Sequence, residues 1–283
     1  MNFKHILGNE KNKEILEKII KTNKIANSYL FIGKSGIGKK LFAKEFAKAL
    51  LEIDENQELL HPDYTFIDSN GGEKQNIIEV NQIKKDLIHV ISKSPIKAKR
   101  RVFIIDEAEK MNIVAQNAFL KTLEETPAKA VIILICSDKS KLLPTIISRC
   151  VQINFSNIEN DIIKKYLENN EIECSKEIIK ICDGSFEKVM NIKKYKEDLK
   201  QFSICIKNIL NKNTIEALNS IEEYSKETNK EKMILLLDYL NVILFEKGLY
   251  NKISIVEKAK EKIQSEFNYN KEMILDEMIM NII

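Results

Sequence analysis

A glycine-rich segment that ends in lysine is the part of this 283-residue sequence best suited to chemistry. It reads Gly33-Lys-Ser-Gly36-Ile-Gly38-Lys39 and follows the apolar run Tyr29–Ile32. The spacing fits the pattern GxxxxGK, in which glycines let backbone N–H groups converge on phosphate oxygens. A helix that begins here adds its positive N-terminal end, and Lys39 would reach the outer phosphates. The sequence therefore predicts a polyphosphate site between a strand and a helix.

The residue after Lys39 departs from that pattern. Ser or Thr normally stands there and gives a hydroxyl oxygen to Mg²⁺, but Lys40 is an ammonium with three donors and no acceptor. It cannot ligate a metal and would repel one. Either Lys40 points into solvent and the loop binds nucleotide weakly, or the loop is kept as architecture and the chain does not hydrolyse ATP. We favour the second interpretation, which leaves ATP, ADP and Mg²⁺ as weak ligands at most.

Two acids follow a second apolar run. Asp106 and Glu107 come directly after Val102–Ile105, and ligands of open α/β sheets bind at the carboxyl ends of strands. Asp106 could hold Mg²⁺ through water, and Glu107 could orient and deprotonate an attacking water. Alternatively, both acids cap a helix that begins at Ala108. The glycine-rich loop about 70 residues upstream favours the functional interpretation.

These side chains need a scaffold, and the first half of the sequence has the pattern of one. Five short apolar runs predict strands: Tyr29–Ile32, Tyr64–Ile67, Val102–Ile105, Val131–Cys136 and Val151–Phe155. Because the runs are continuous rather than alternating, we expect strands buried on both faces, as in a parallel sheet. Helical stretches at Lys39–Leu51 and Ala108–Leu123 complete the strand–helix alternation of an α/β domain.

The sequence changes character near residue 155. All four prolines and six of the eight glycines precede that point, which predicts tight loops before it and long helices after it. Apolar residues recur at helical spacing in the second half, as in Met233, Leu236, Leu237, Leu240 and Leu244. With Gly184 as the dividing signal, we expect a small helical unit near residues 158–203 and a final helical bundle near residues 204–283.

Composition excludes some classes of protein. Apolar residues make up 44% and charged residues 31% of the chain, and the net charge is +3, which is an ordinary globular mixture. No run approaches the ~18 apolar residues of a membrane span, and no signal-peptide core is present, so we expect a cytoplasmic protein without membrane contact. The basic segment at residues 97–101 is a solvated loop or a contact with nucleic acid, and we favour the loop.

The cysteines do not form a metal-binding pattern. There are five, an odd number, and no two are spaced as CxxC. A disulfide framework and a tetrahedral zinc site are both disfavoured. We predict that the protein holds no zinc and has no metal-ligand set of its own.

Four further segments carry a family resemblance over about residues 5–190. They are Asn27-Ser-Tyr-Leu-Phe-Ile-Gly33, His61-Pro-Asp63, Ala115-Gln-Asn-Ala-Phe-Leu-Lys-Thr-Leu-Glu-Glu-Thr-Pro127 and Leu143-Pro-Thr-Ile-Ile-Ser-Arg149-Cys150. With them the sequence resembles the clamp-loader subunits of bacterial DNA polymerase III, which are AAA+ proteins. The resemblance implies an α/β P-loop core with a parallel sheet over residues 1–157, a small helical lid over 158–203 and an all-α C-terminal collar over 204–283.

The resemblance also implies roles for single residues. Arg149 would be an arginine finger that acts in trans, because a guanidinium keeps its charge and binds phosphate oxygens in a planar fork. Ser137 lies where the family has a polar sensor of the outer phosphate. Glu107 would be a vestigial base in a degenerate ATP site formed with Gly33, Gly36, Gly38, Lys39, Lys40 and Asp106.

Departures from the ATP-hydrolysing members make the delta-prime type the closest match. Lys40 replaces the metal-binding hydroxyl, and Glu187 stands where those members have an arginine for phosphate. The segment Glu52–Leu60 contains no cysteine of the family's zinc module. The implied function is support of ATP-driven opening and loading of the sliding clamp, as scaffold and finger donor. The implied partners are the gamma/tau and delta subunits, the sliding clamp and, through the complex, primed DNA.

Two other functions stay open. An ATP-hydrolysing subunit of the gamma/tau type would tolerate Lys40 and bind nucleotide by itself. A small-molecule P-loop kinase would need phosphate-binding arginines in a lid, whereas Arg100, Arg101 and Arg149 are the only arginines. The kinase is the weakest of the three interpretations.

Overall fold

A computed structural model describes residue 3 and residues 5–54, 56–71, 76–227, 229–264 and 270–283. Within these ranges the chain divides into two compact units, with the boundary between Ile158 and Glu159. The first unit contains the predicted loop, both acids and Arg149. No helix in the described ranges is long and apolar enough to span a bilayer.

The first unit alternates strands and helices. Its strands are β1 Ser28–Ile32, β2 Tyr64–Ile67, β3 Arg101–Ile105, β4 Ala130–Cys136 and β5 Val151–Asn154. Its helices are α1 Glu10–Thr22, α2 Lys39–Leu50, α3 Val80–Ile83, α4 His89–Ile91, α5 Ile113–Glu124 and α6 Pro144–Ile147, with a π-helical turn Lys84–Ile88 between α3 and α4.

The strands form one sheet in the order β2-β3-β4-β1-β5, and every neighbouring pair is parallel. The predicted α/β fold with a parallel sheet is confirmed, and each predicted strand agrees with the observed one to within one residue at either end. All residues of β1, β3 and β4 are buried. Their continuous burial explains the unbroken apolar runs, because helices cover both faces of the sheet.

Each face of the sheet has its own apolar core. On one face Tyr29 and Phe31 of β1 pack with Phe42 and Phe46 of α2, and the Tyr29 and Phe46 rings meet edge to face at 5.2 Å. On the other face Leu30 packs in the cluster that contains α5. The alternation of side chains along β1 therefore ties the helix after the glycine-rich loop to one side of the sheet.

One predicted helix begins later than expected. Ala108 starts only a short 3₁₀ turn, Ala108–Lys110, and α5 begins at Ile113. Asn112 caps α5, since its side-chain oxygen accepts a bond from the Ala115 N–H at 2.8 Å. The interpretation of Asp106 and Glu107 as caps of a helix at Ala108 is therefore wrong, because asparagine five residues further on caps the helix.

The second unit is entirely helical over its described residues. Its helices are α7 Asn160–Glu168, α8 Lys176–Cys182, α9 Phe186–Lys194, α10 Lys196–Leu210, α11 Thr214–Ser225, α12 Lys230–Glu246, α13 Tyr250–Gln264 and α14 Lys271–Ile282. The five apolar residues singled out in α12 are all buried in this unit. Helix α10 continues through residues 203 and 204, where the lid was expected to end. The division into lid and collar stays a prediction.

Candidate functional site

Three of the predicted site segments meet at one edge of the sheet. The glycine-rich loop follows β1, Asp106 and Glu107 follow β3, and Ser137 follows β4. Strand β4 lies between β1 and β3 and is parallel to both. The carboxyl ends of these strands therefore lie side by side, and the polar residues that follow them converge there.

The loop has a shape that only glycine allows at several positions. A Cβ atom on Gly33 would come within 2.6 Å of Ile37 Cδ1 and 2.7 Å of the Phe155 carbonyl oxygen. Gly36 and Gly38 have φ angles of 78° and 97°, a region that residues with a side chain rarely adopt. Gly38 leads directly into α2. The turn therefore has the backbone that a phosphate-binding loop requires.

Lys39 is buried in the loop, with 5% of its surface exposed. Its ammonium donates to the carbonyl oxygen of Gly33, to that of Lys34 at 2.7 Å and to Ser137 Oγ at 3.3 Å. Burial lowers the pKa of Lys39, and the charges of Glu109 and Asp106 offset that effect only in part. The site thus contains a buried cation whose hydrogen bonds go to neutral oxygens.

Lys40 does not point freely into solvent. Its ammonium lies 3.1 Å from Asp106 Oδ2 and 4.5 Å from the centre of the Phe66 ring. An ammonium there neutralises the carboxylate that would face a metal, and it has no lone pair for one. The residues present therefore do not fit a magnesium ion in the usual position beside this loop.

Glu107 is also engaged within the chain. It has a φ of 51°, a strained conformation for glutamate. Its carboxylate accepts a bond from Ser69 Oγ at 2.6 Å and pairs with Lys110 Nζ at 2.7 Å. Partial burial by itself would raise the pKa of Glu107, but the bonds from Lys110 and Ser69 and the charge of Lys40 lower it. A lowered pKa makes this carboxylate a weaker base.

Glu109 is a site residue that the sequence interpretation missed. Its Oε1 accepts the Ser137 N–H at 3.0 Å, and its charge acts on Lys39. The other oxygen, Oε2, is buried, and none of the described residues donates a hydrogen bond of ordinary geometry to it. The spacing Asp106-Glu107-x-Glu109 is a visible signal, but only the 3₁₀ turn brings the third acid back toward β4.

Arg149 lies near the amino-terminal ends of the strands, opposite to the ends at which the loop and the acids lie. It follows α6 in the turn before β5 rather than inside the helix. Val151 of β5 is level with Tyr29 at the start of β1, whereas the glycine-rich loop follows Ile32. With a rise of about 3.3 Å per residue, Arg149 is at least about 10 Å from the loop along the strand direction. The structure does not bring Arg149 together with the other predicted site residues.

Surface groups hold the Arg149 guanidinium in this chain. Nη2 lies 2.6 Å from Glu124 Oε1, and Nη1 donates to the Thr145 carbonyl oxygen at 3.0 Å. The two side chains of the ion pair are 36% and 51% exposed. Exposed pairs of this kind contribute about 0–1 kcal/mol, so the arginine can leave Glu124 at little cost.

The basic segment before β3 contains a structural contact that the sequence interpretation also missed. The fully buried carboxylate of Asp63 accepts the N–H groups of Ile96, Lys97 and Ala98 at 2.7, 2.7 and 2.9 Å. Arg101 Nε is 3.6 Å from the same carboxylate. The His-Pro-Asp segment therefore anchors the loop that leads into the acidic strand.

In the second unit, Glu187 and Lys188 lie in the first turn of α9. Ser185 caps this helix by accepting the Lys188 N–H at 3.3 Å. The Lys188 ammonium pairs with Asp238 Oδ2 on α12 at 3.0 Å. Lys188 directly follows Glu187, the position at which ATP-hydrolysing members have an arginine, and its ammonium is thus paired with another helix of the same unit.

Five cysteines are free thiols in the structure. Burial raises the pKa of Cys136, Cys150, Cys182 and Cys205 to about 12 each, with Glu109 contributing at Cys136. No group of three or more His, Cys, Asp or Glu side chains within the described ranges could hold a metal ion. The absence of zinc from the protein stays a prediction.

Comparison with known proteins gives one family. The family described as "DNA polymerase III, delta subunit" matches residues 8–159, more than half of the chain. The chain is 32% identical over 200 residues to DNA polymerase III subunit gamma/tau of Mycoplasma genitalium, covering 68% of this chain and 33% of that protein. It is 38% identical over 141 residues to subunit delta' of Pseudomonas aeruginosa, covering 45% of this chain and 42% of that protein.

These two relatives are much longer than the parts that match, since the chain spans 33% and 42% of their lengths. Among solved structures, a DNA polymerase III gamma-subunit-related protein from Thermotoga maritima has a similar fold, with a TM-score of 0.58. That likeness has 19% identity and covers 94% of this chain and 98% of the other. At this identity it supports the fold alone.

Proposed function

The chain belongs to the DNA polymerase III delta-subunit family, as a bacterial clamp-loader subunit of the AAA+ type, and on that premise we propose that it acts as a delta-prime-like subunit. It serves as a scaffold and arginine-finger donor that supports ATP-driven opening of the sliding clamp and its loading on primed DNA. Its partners are the gamma/tau and delta subunits and the clamp, and it meets DNA in the cytoplasm through the complex.

One observation carries the proposal, namely the contact between Lys40 and Asp106. The 3.1 Å ion pair places a cation of the chain against the carboxylate that an ATP-hydrolysing subunit uses for its metal. Glu107, the residue expected to act as the base, is similarly engaged, since its carboxylate is bound to Ser69 and Lys110. We infer that this subunit keeps the loop but does not turn over ATP.

The position of Arg149 supports action in trans. Arg149 precedes β5, whereas the chain's own glycine-rich loop follows β1 at the opposite ends of the parallel strands. Arg149 is at least about 10 Å from its own loop along the strand direction, and it lies on the surface, held by an exposed ion pair with Glu124 and a bond to the Thr145 carbonyl oxygen. A neighbouring subunit's nucleotide is therefore the target we propose for it.

The ATP-hydrolysing gamma/tau type is the second candidate. It is favoured by the complete GxxxxGK backbone and by the 32% identity to a gamma/tau subunit. In that function Lys40 would have to leave Asp106 whenever a metal-bound nucleotide entered. Membership of the family removes the reason for considering a small-molecule kinase.

Two variants in a reconstituted clamp loader test the proposal. Arginine fingers contribute about 10³–10⁵ in rate in well-studied nucleotide hydrolases, and a complex with several sites should show a smaller loss. Arg149→Ala should leave assembly intact, lower the DNA- and clamp-stimulated ATPase of the complex and slow clamp loading. Lys40→Ala should change neither the ATPase of the complex nor the rate of clamp loading. Arg100→Ala is the matched control, since Arg100 makes two long surface bonds, to Asn23 Oδ1 at 3.3 Å and to the Ala128 carbonyl oxygen at 3.4 Å.

The opposite result for the two variants would favour the gamma/tau-type function over the delta-prime-like one. If Lys40→Ala stops clamp loading while Arg149→Ala is harmless, the chain's own loop does the hydrolysis. The gamma/tau-type function would then be the better description.

A further inference from the structure

We propose that the glycine-rich loop binds the diphosphate group of a nucleotide without a divalent cation, and that the Lys40 ammonium supplies the positive charge a metal otherwise brings. The loop becomes a metal-independent anion site rather than an empty remnant. This inference deepens the proposed function, because it names a ligand for the site that does not turn over.

The first argument is that the buried Lys39 ammonium has only neutral hydrogen-bond partners among the described residues. Lys39 is 5% exposed, and its ammonium bonds to the Gly33 and Lys34 carbonyl oxygens and to Ser137 Oγ, none of which is an anion. The charges of Glu109 and Asp106 offset the cost of burying this ammonium only in part. A phosphate at the loop would satisfy this charge.

The second argument is the shape of the loop. The Gly33 position has no room for a Cβ atom, and Gly36 and Gly38 have positive φ angles just before the 12-residue helix α2. This backbone is that of an anion-binding loop at a helix N-terminus. The backbone of the cradle is therefore intact, although the metal ligand is lost.

The third argument is the charge balance beside the loop. With a hydroxyl residue at position 40, Asp106 would be an unpaired carboxylate near the phosphate, and a metal would have to bridge the two anions. Lys40 removes that need, because its ammonium is 3.1 Å from Asp106 Oδ2. The Phe66 ring, 4.5 Å away, helps to hold the ammonium in place. A second cation in this position would be repelled rather than bound.

The test is a binding measurement with the full chain and needs no turnover. Fluorescent ADP is titrated in MgCl₂ and in EDTA, and pyrophosphate is added as competitor. We expect the wild-type dissociation constant to agree within about twofold in the two buffers, and we expect pyrophosphate to displace the ADP. Lys39→Ala should abolish binding in both buffers.

Lys40→Thr is the decisive variant, since it restores the hydroxyl and removes the ammonium. It should bind ADP at least about tenfold more weakly in EDTA and regain much of the affinity when Mg²⁺ is added. The matched control is Lys44→Thr. Lys44 lies one turn further along α2, with its ammonium 5.7 Å from the same Phe66 ring, so its loss should leave binding in EDTA close to wild type.

Several results would overturn the inference. They are ADP binding by the wild type only with Mg²⁺, no ADP binding at millimolar concentration, failure of pyrophosphate to compete, or Lys40→Thr that binds equally in both buffers. Thermal unfolding of each variant confirms that it is folded. Failure here leaves the finger role untouched, because that role is tested through Arg149 in the assembled complex.

Discussion

At the scale of residues, the chain shows how one substitution changes what a preserved loop can do. Lys40 replaces a hydroxyl that could bind metal and forms an ion pair with Asp106. The neighbouring Lys39 donates to the carbonyl oxygens of Gly33 and Lys34 in the loop. The proposed phosphate binding and the proposed loss of the metal ligand therefore depend on two adjacent side chains, Lys39 and Lys40.

Asp63 gives a prediction at the same scale. Burial by itself would raise the pKa of Asp63, but three backbone N–H bonds and the charge of Arg101 lower it below its ordinary value of 3.8. Its contribution to stability is therefore present above about pH 4 and is lost as the pH falls through the lowered pKa. Asp63→Asn should cost roughly 2–4 kcal/mol at neutral pH, because the three backbone N–H groups and the buried Arg101 lose their anion.

Urea unfolding from pH 6 to pH 3 measures this effect. Below pH 4 the gap between wild type and Asp63→Asn should narrow as the wild-type carboxylate takes up its proton. The exposed Asp54 offers the control, and Asp54→Asn should change stability little. A gap that stays constant over the whole range would show that the negative charge of Asp63 does not stabilise the loop at residues 96–98.

At the scale of elements, β3 holds the site together. It lies between β2 and β4, and the acids at its end face the loop after β1. A charge without a partner is costly in a strand that is buried on both faces, whereas an acid at an exposed helix N-terminus is favourable. The effect of an introduced charge on stability should therefore depend more on where the residue lies in its strand or helix than on how hydrophobic the replaced side chain is.

Ile104 tests that statement. It is fully buried in β3, and Ile104→Asp would bury an unpaired carboxylate at a cost of several kcal/mol. We expect the variant to be unfolded or insoluble. Ile113→Asp introduces the same side chain at the first residue of α5, where Ile113 is 60% exposed, and acids near a helix N-terminus are favourable.

Circular dichroism and urea unfolding of the two variants give the comparison. Ile113→Asp should fold with a stability close to that of wild type. Soluble, cooperatively folding Ile104→Asp protein would show that β3 is not a central strand.

At the scale of the whole molecule, the described chain does not assemble a complete hydrolytic site. The loop, Lys39 and the acids lie at the carboxyl ends of the strands, whereas Arg149 lies near their amino ends. A parallel sheet separates the two by the length of its strands. This separation supports the proposal that Arg149 acts on the nucleotide of a neighbouring subunit.

The corresponding prediction concerns the isolated chain. Mg²⁺-dependent ATP hydrolysis by the purified protein should equal that of Lys39→Ala, because the site lacks a metal ligand and an arginine finger. A steady-state phosphate-release assay on both proteins makes the comparison. Turnover by the wild type that disappears in Lys39→Ala would instead support an active ATPase of the gamma/tau type.

The strands, the loop and the acids could all be predicted from the sequence. Continuous apolar runs have few structural solutions, and a glycine pattern records a local backbone requirement that is independent of distant residues. The start of α5 was mispredicted because a capping asparagine at position 112 outweighed the acids at the end of β3. Local signals compete at helix boundaries, and sequence does not rank them.

Other features depended on tertiary structure. The sequence determined that position 40 could not ligate a metal, but only the folded chain showed that the Lys40 ammonium lies against Asp106 instead of pointing into solvent. The same holds for Glu109 with Ser137 and for the position of Arg149 near the amino ends of the strands. Residue type sets which chemistry is possible, whereas strand order and register set which groups meet, since these contacts join residues that are distant in the chain.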